Sequence, residues 1–380
     1  MLSSEYKLLI DCCQKQIETS AIQTAFSSYS DENYQNIHRL SHKHGIYPLL
    51  YKTIRYIRPD SLSSETDDLF KQSNMVVAQR NMLMSAELLQ LMHLFDANSI
   101  DAMAFKGPVL GEMAYGSVTL RQYGDLDILI RQKEIEKTLT LLQKRGYTPE
   151  IELEKSTLES FYNCVNVIGL HRGAVRVEIH WELLSKNYAI DWEEKKLWRE
   201  SETIEINRKP IKMLSFENHI LYLCAHGSKH LFERLEWICD IDRAIRSKSD
   251  VDWEHLLQEA EALGIKRMLF LGLALSKLFF DLPLPQEIIK KMDNDPEIEG
   301  LIQKVIALHY SSETSSAKSY SSFGLLWQMR ENLSDRLRFA YRGLFSPKFD
   351  DFKFIALPKS VLFLYPIVRL FRLLVKYLYR

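Results

Sequence analysis

Residues 124–130 read GDLDILI, an apolar run of strand-forming residues that opens with two acids, Asp125 and Asp127. Few patterns restrict a chain more. Side chains along a strand alternate faces, so Leu126, Ile128 and Ile130 share one face and the two aspartates share the other. The first face demands a core. The second sets two like charges a residue apart, where each raises the pKa of its neighbour. For both to stay ionised, something positive must sit between them. A divalent cation is the economical choice, and Mg²⁺ favours carboxylate oxygens together with substrate phosphates. A solvent-exposed strand edge can carry the same tripeptide, so the surrounding sequence has to decide.

The neighbours point one way. "IDAMAFKG", from residue 100, reads as a short strand stopping at a glycine, and Pro108 suits the first position of a following helix, "PVLGEMAYG". "RQKEIEKTLTLLQKRGY" is amphipathic and ends at Gly146, a helix stop. "NVIGL" and "AVRVEIHW" form a hairpin pattern around His171, Arg172 and Gly173. In the second arm Val175, Val177 and Ile179 share one face, and Arg176, Glu178 and His180 share the other. Laid beside the aspartate strand, Glu178 becomes a third carboxylate. Three carboxylates can hold two metal ions about 3.5–4 Å apart, which clamps an in-line phosphoryl displacement. Lys106 and Gly107 stand just before a helix N-terminus, where free N–H groups and the dipole attract phosphate.

The flanks are helical. "NMLMSAELLQLMHLFDA" places Leu88, Leu91, Met92 and Phe95 at helical spacing. Ser215 is a plausible N-cap for a long helix running through "HILYLCAHGSKHLFERLEWICDIDRAI", broken near Gly227. "HYSSETSSAKSYSS" reads as an exposed loop. The predicted fold class is α+β, with a small mixed-sheet core between helical flanks. Residues 1–99 form an N-terminal helical segment, 100–185 the α/β core, 186–350 a helical domain and 351–380 a basic amphipathic tail. A net charge of -1 excludes a general nucleic-acid coat protein. Five cysteines without a CxxC pair suit free thiols in a reducing cytoplasm, and the N-terminus lacks the pattern of a signal peptide.

Residues 100–182 resemble the core of nucleotidyltransferases related to DNA polymerase beta. The "KG" before the helix, "RQYGDLD" at the metal strand and "EIHW" on the later strand carry the likeness. The whole chain is most similar to a poorly characterised bacterial branch of that superfamily. The resemblance implies Asp125, Asp127 and Glu178 as catalytic Mg²⁺ or Mn²⁺ ligands. It also implies an NTP substrate, ATP foremost, and an acceptor hydroxyl on a small molecule or protein rather than RNA. Lys106, Gly107, Arg121, Lys229 and Asp240 are the implied nucleotide contacts. Two departures stand out: Pro108 replaces a serine or glycine donor, and the stretch from Gly107 to Asp125 is long. A weakly catalytic binding or scaffold module on the same fold is the alternative.

His226 and His230 lie four apart and could share a helix face, but no third zinc ligand follows them. They read as surface or nucleotide-contact residues, and Trp237 as a packing residue. In the tail, Arg369, Arg372, Lys376 and Arg380 make a basic stripe opposite Leu370, Leu373, Leu374 and Leu378. The leucines would dock this helix on the rest of the chain. The basic stripe would suit a membrane surface or an acidic partner.

Overall fold

The computed structural model describes residues 2–151, 161–311, 322–355, 357 and 359–378. The chain begins with five helices: α1 (Ser4–Cys12), α2 (Thr19–Ser27), α3 (Asp31–Lys43), α4 (Tyr47–Ile57) and α5 (Ser64–Ala97). Ser63 starts α5 by accepting from the Thr66 N–H, with Glu65 and Asp67 in the first turn, where the helix dipole favours acids. The far half of α5 buries Met84, Leu88, Leu91 and Phe95. This is the predicted stripe, except that Met92 is only half-buried.

The central unit then runs β1 (Ala102–Ala104), α6 (Gly107–Tyr115), β2 (Leu126–Ile130), α7 (Ile135–Lys144), β3 (Thr148–Pro149), β4 (Val167–Arg172) and β5 (Val175–His180). The strands form one mixed sheet in the order β1-β2-β5-β4-β3. Within it β2 and β5 are parallel, and the register pairs Asp127 with Glu178. The β4–β5 hairpin turns at Gly173 and Ala174, because Arg172 still pairs with Val175. Gly173 supplies the left-handed φ of +57° that such a turn uses.

All five residues of β2 are buried. Leu126, Ile128 and Ile130 join Val177 and Ile179 of β5, Leu88 and Leu91 of α5, and Leu139 and Leu142 of α7 in one apolar cluster. Each such side chain contributes about 1.5–3 kcal/mol when fully buried. The opposite face is covered too. There the Phe105 ring meets His180 and Tyr222 edge-on, both at 5.1 Å between centroids. Asp127 therefore sits in a covered strand, only 2% exposed.

Beyond the sheet come α8 (Glu194–Arg199), β6 (Glu202–Ile206), β7 (Lys209–Met213), α9 (Phe216–Lys229), α10 (Leu235–Ser247), α11 (Trp253–Ala262) and α12 (Lys266–Phe280). The β6–β7 hairpin lies within residues 186–350, which the sequence pattern assigned to a helical domain. Its alternation of Ile204, Ile206, Ile211 and Met213 was visible. Its turn was not, because Asn207 and Arg208 take φ of +51° and +60° without a glycine. Ser215 caps α9 as expected, its side chain accepting from the Asn218 N–H. The helix breaks at Leu231 and Phe232, both at positive φ, rather than at Gly227. Gly227 stays helical because the Phe232 ring fills the place of a side chain there; a Cβ would fall 2.3 Å from that ring.

The chain closes with α13 (Gln286–Asp293), α14 (Ile298–His309), α15 (Ser322–Gln328), α16 (Leu333–Phe345), α17 (Phe349–Phe354) and α18 (Tyr365–Leu378). The serine-rich run from residue 312 to 321, and Arg380, lie outside the described residues. Arg369 and Arg372 of the α18 stripe face inward, contrary to the sequence expectation. Arg369 and Arg372 both bind the wholly buried Asp351, and Arg369 also donates to the carbonyls of Gly343 and Leu344. A buried carboxylate needs opposite charge, and the two arginines supply it. Ile367, Phe371 and Leu374 face outward instead. Among the described residues no helix is long and apolar enough to cross a membrane.

One buried ion pair ties the helical layer to the sheet unit. Arg121, in the loop between α6 and β2, donates from Nε and Nη2 to the two oxygens of Asp240 on α10, at 2.8 and 2.9 Å. Tyr115, the last residue of α6, adds its hydroxyl to Asp240 at 2.8 Å. Asp240→Ala leaves Arg121 buried without a partner and should lower stability by about 3–5 kcal/mol. The double variant Arg121→Met/Asp240→Leu should recover most of that. Urea midpoints of the three proteins test this, and an unchanged midpoint for Asp240→Ala would refute it.

Candidate active site

A cavity of about 540 Å³ opens between the sheet and the helical layer. Lys106, Gly107, Arg121, Asp125, Asp127, Glu178, Lys229 and Asp240 all contribute to its wall, so the residues singled out in the sequence meet in one place. Their roles differ from one another once distances are considered.

Lys106 ends the β1 segment and leads into α6. Gly107 follows at φ +50°, and a side chain there would press on the Asp125 carbonyl at 3.3 Å. That conformation presents the N-terminus of α6 to the cavity. Lys106 Nζ lies 2.9 Å from Asp127 Oδ1, with both side chains largely out of solvent. Burial works against the ammonium, but Asp127 outweighs it and holds Lys106 charged well above its ordinary range. Burial likewise disfavours the Asp127 carboxylate, yet Lys106 and His180 hold its pKa well below the usual value.

His180 was on the right face of β5 in the sequence, but nothing there gave it a task. Its Nε2 sits 3.1 Å from Asp127 Oδ1 and 3.3 Å from Glu178 Oε2. Burial pulls its pKa down; hydrogen bonds to the two acids more than reverse that, so the net direction is up. Glu178 is held below its ordinary range against its own burial, chiefly by His180. The ligand atoms of Asp127, Glu178 and His180 lie within 4.8 Å of one another.

Asp125 stands apart from this cluster. It precedes β2, and its Oδ2 accepts from Arg176 Nη1 at 3.0 Å. The same nitrogen reaches Glu178 Oε1 at 2.7 Å, while Arg176 Nε binds Glu150. Burial and the charges of Asp127 and Glu178 push the Asp125 pKa up. The positive charge that the paired acids require is thus already present as Lys106 and Arg176. The sequence required something positive between the acids, and in the ion-free protein these two side chains supply it.

Arg121 is also less free than the sequence suggested. Two of its nitrogens are committed to Asp240, so it walls the cavity as half of a structural pair. Lys229, at the end of α9, has its ammonium 5.4 Å from the centre of the Tyr188 ring. Burial, with Lys106 nearby, lowers its pKa to about 8. His226 and His230 are half-buried and line the cavity, packed against Trp237 at 5.5 and 5.0 Å between ring centres. Burial keeps His230 near a pKa of about 4, so it is neutral at physiological pH. Glu236 beside them is pushed up to about 7, mainly by burial.

A protein family described as an uncharacterised nucleotidyltransferase matches residues 30–281. The chain belongs to that family. Nucleotidyl transfer is therefore the chemistry against which this nucleotidyltransferase's cavity is read. No curated protein matches it. Two solved structures are similar at low overall superposition. One is the solution structure of the antibiotic-resistance factor ANT(2'')-Ia, at 13% identity and a TM-score of 0.33, covering 47% of this chain and 92% of that one. The other is an antigenic nucleotidyltransferase-like protein from Paracoccidioides brasiliensis, at 16% identity and a TM-score of 0.33, covering 59% of this chain and 92% of that one.

The Lys106–Asp127 contact makes a definite prediction for the metal-free protein. Asp127→Asn relieves repulsion from Asp125 and Glu178, but it also strips a buried ammonium of its counter-charge. The direct 2.9 Å contact wins, and stability should fall by about 3–5 kcal/mol. Adding Lys106→Met should restore most of the loss. Urea unfolding in chelator measures both, and a more stable Asp127→Asn would show that repulsion dominates.

Proposed function

We propose that this chain is a metal-dependent nucleotidyltransferase that moves an NMP from an NTP, ATP foremost, to an acceptor hydroxyl and releases pyrophosphate. The observation that carries the reading is the registered pair Asp127–Glu178 on parallel strands, facing the N-terminus of α6 across one cavity. Membership of the DNA polymerase beta-like superfamily, in its bacterial branch, belongs to the same proposal.

The residues fit a divalent cation, Mg²⁺ or Mn²⁺. Asp127 Oδ2 is buried without a hydrogen-bond partner, so a carboxylate oxygen is available while Oδ1 stays with Lys106. Asp127 and Glu178 would hold the ion, with Asp125 able to join once Arg176 turns away. When bound, such an ion lowers the pKa of an attacking hydroxyl and offsets charge on the leaving pyrophosphate. Lys106 and the Gly107 N–H face the triphosphate, and Lys229 adds a third positive contact from the helical layer. Glu178, with Asp127, accepts the proton of the acceptor hydroxyl. The helical layer over the cavity keeps water from the reacting phosphate.

The balanced charge of the chain favours a small molecule or protein side chain as acceptor over an RNA end. The second reading, a weakly catalytic nucleotide-binding or scaffold module, draws on Pro108 at the phosphate turn and on the commitment of Arg121 to Asp240. For the tail, Arg369 and Arg372 are turned onto Asp351, so contact with a membrane or acidic partner would rest on Lys376 and Arg380.

Glu178→Gln should cut pyrophosphate release at least about a hundredfold, the scale expected when a group stabilising transition-state charge is lost. A coupled pyrophosphate assay checks it, and undiminished release would exclude Glu178 from the chemistry. No release from the wild type with any NTP, together with a melting shift by metal-NTP, would favour the binding-module reading.

Nucleotide affinity should also depend on pH. With a pKa of about 8, Lys229 is charged below that value and neutral above it. Each lost positive contact weakens the triphosphate, so affinity should drop as pH rises through 8. Lys229→Met should bind more weakly at pH 7 and lose this slope. Titration calorimetry with a non-hydrolysable NTP at pH 6.5 to 9 decides the point, and a slope that survives in the variant would assign it elsewhere.

A further inference from the structure

A family metal site made of three carboxylates leaves His180 without a purpose, yet the geometry places it at the centre of the acids. Its Nε2 faces Asp127 Oδ1 and Glu178 Oε2 together, and the three ligand atoms cluster within 4.8 Å. Asp125 does not join them; its carboxylate is held by Arg176. The fold fixes this choice of donors. Glu178 and His180 stand two apart on β5 and share a face, and the register sets Asp127 directly beside Glu178. Asp127 is 2% exposed and His180 5%, so neither side chain is a wandering surface group. Asp127 Oδ2 is buried without a hydrogen-bond partner, so a carboxylate oxygen at the cluster is open to an ion.

We propose that the metal centre is Asp127, Glu178 and His180, and that its imidazole makes it select a first-row transition ion, Mn²⁺ foremost, over Mg²⁺. The proposal rests on the nucleotidyltransferase reading only for what the ion does, not for where it binds. The chemistry follows from the donors. Mg²⁺ is a hard ion that keeps to oxygen and dehydrates reluctantly, whereas imidazole suits the later first-row divalent ions. Two carboxylates and a phosphate oxygen suit Mn²⁺, which accepts the nitrogen as well. Zn²⁺ and Co²⁺ bind nitrogen more strongly and a three-donor site with an open position admits them as well, so the selectivity proposed is over Mg²⁺, with Mn²⁺ favoured among these ions by the two carboxylates. Lys106 need not leave, because it occupies Oδ1 and leaves Oδ2 to the ion, while the Nε2 proton that His180 directs at the two acids passes to solvent as the ion takes its place. Metal should therefore enter without nucleotide.

The full-length protein, stripped with chelator, is titrated with Mn²⁺, and free ion is followed by electron paramagnetic resonance with Mg²⁺ as competitor. Mn²⁺ should bind at least about tenfold more tightly than Mg²⁺. His180→Asp, which supplies a third carboxylate, should bring the two affinities within about threefold of each other. Asp125→Asn should leave the preference intact. Because His180→Asp could misfold, a second readout uses the wild type alone: the bound Mn²⁺ should show spin-echo modulation from a directly coordinated ¹⁴N. Equal affinities for the two ions, or bound Mn²⁺ without nitrogen modulation, would overturn the proposal. So would a preference that vanishes in Asp125→Asn but survives in His180→Asp. Failure of the nucleotidyl-transfer reading looks different: Mn²⁺ binds as described, and no NTP yields pyrophosphate.

Discussion

The buried pair of Arg121 and Asp240 is the contact on which the site depends. Arg121 belongs to the loop that delivers the chain into β2, and Asp240 to α10 in the helical layer. Both are buried, and both guanidinium bonds are short and well placed. A bidentate pair fixes orientation as well as distance. It sets how closely the helical layer approaches the sheet, and the cavity is the space that remains between them. A pair of this kind brings little net stability over a well-packed apolar replacement. Its value here is in position, since Lys229 comes from one side of the cavity and Lys106 from the other.

Within that space charge is balanced locally. Asp127 is shared by Lys106 and His180, Glu178 by His180 and Arg176, and Asp125 by Arg176. Every acid at the site has a basic partner, so the metal-free protein does not hold its carboxylates apart by strain. The partners are not equal. His180 is buried and Lys106 largely out of solvent, whereas Arg176 is 40% exposed and its contacts are weakened by solvent. Arg176 can be drawn away from Asp125 and Glu178 at modest cost, and Lys106 cannot be drawn far from Asp127. A triphosphate entering the cavity therefore meets a fixed lysine and a yielding arginine.

The tail follows the same logic. A helix with arginines on one face and leucines on the other is expected to bury the leucines. Asp351 changes that order, because an unpaired buried carboxylate costs more than leaving Ile367, Phe371 and Leu374 in water: Arg369 and Arg372 turn in, and Leu370 and Leu373 stay only half-buried. The hydrophobic pattern of a helix shows that it is two-sided, and the residue waiting across the interface decides which side goes in.

Periodicity made much of the architecture legible. The strand at Asp127, the hairpin that carries Glu178, the helix stop at Gly146 and the cap at Ser215 all follow from short-range chemistry written in adjacent residues. So does the placing of Arg176, Glu178 and His180 on one face. The β6–β7 hairpin escaped because its turn uses Asn207 and Arg208, and Asn-Arg is a weaker turn signal than the Asn-Gly pair such hairpins favour. Distances across the chain were out of reach for a different reason. That Lys106 lies against Asp127, that Arg121 is committed to Asp240, and that His180 and not Asp125 joins the two inner acids depend on a parallel register and on how two layers meet. The sequence by itself determined which residues could do chemistry. Tertiary structure decided which charges they face, because electrostatic partnership depends on separation in space, and residues 21, 53 or 119 positions apart acquire one only when the sheet and helices close around them.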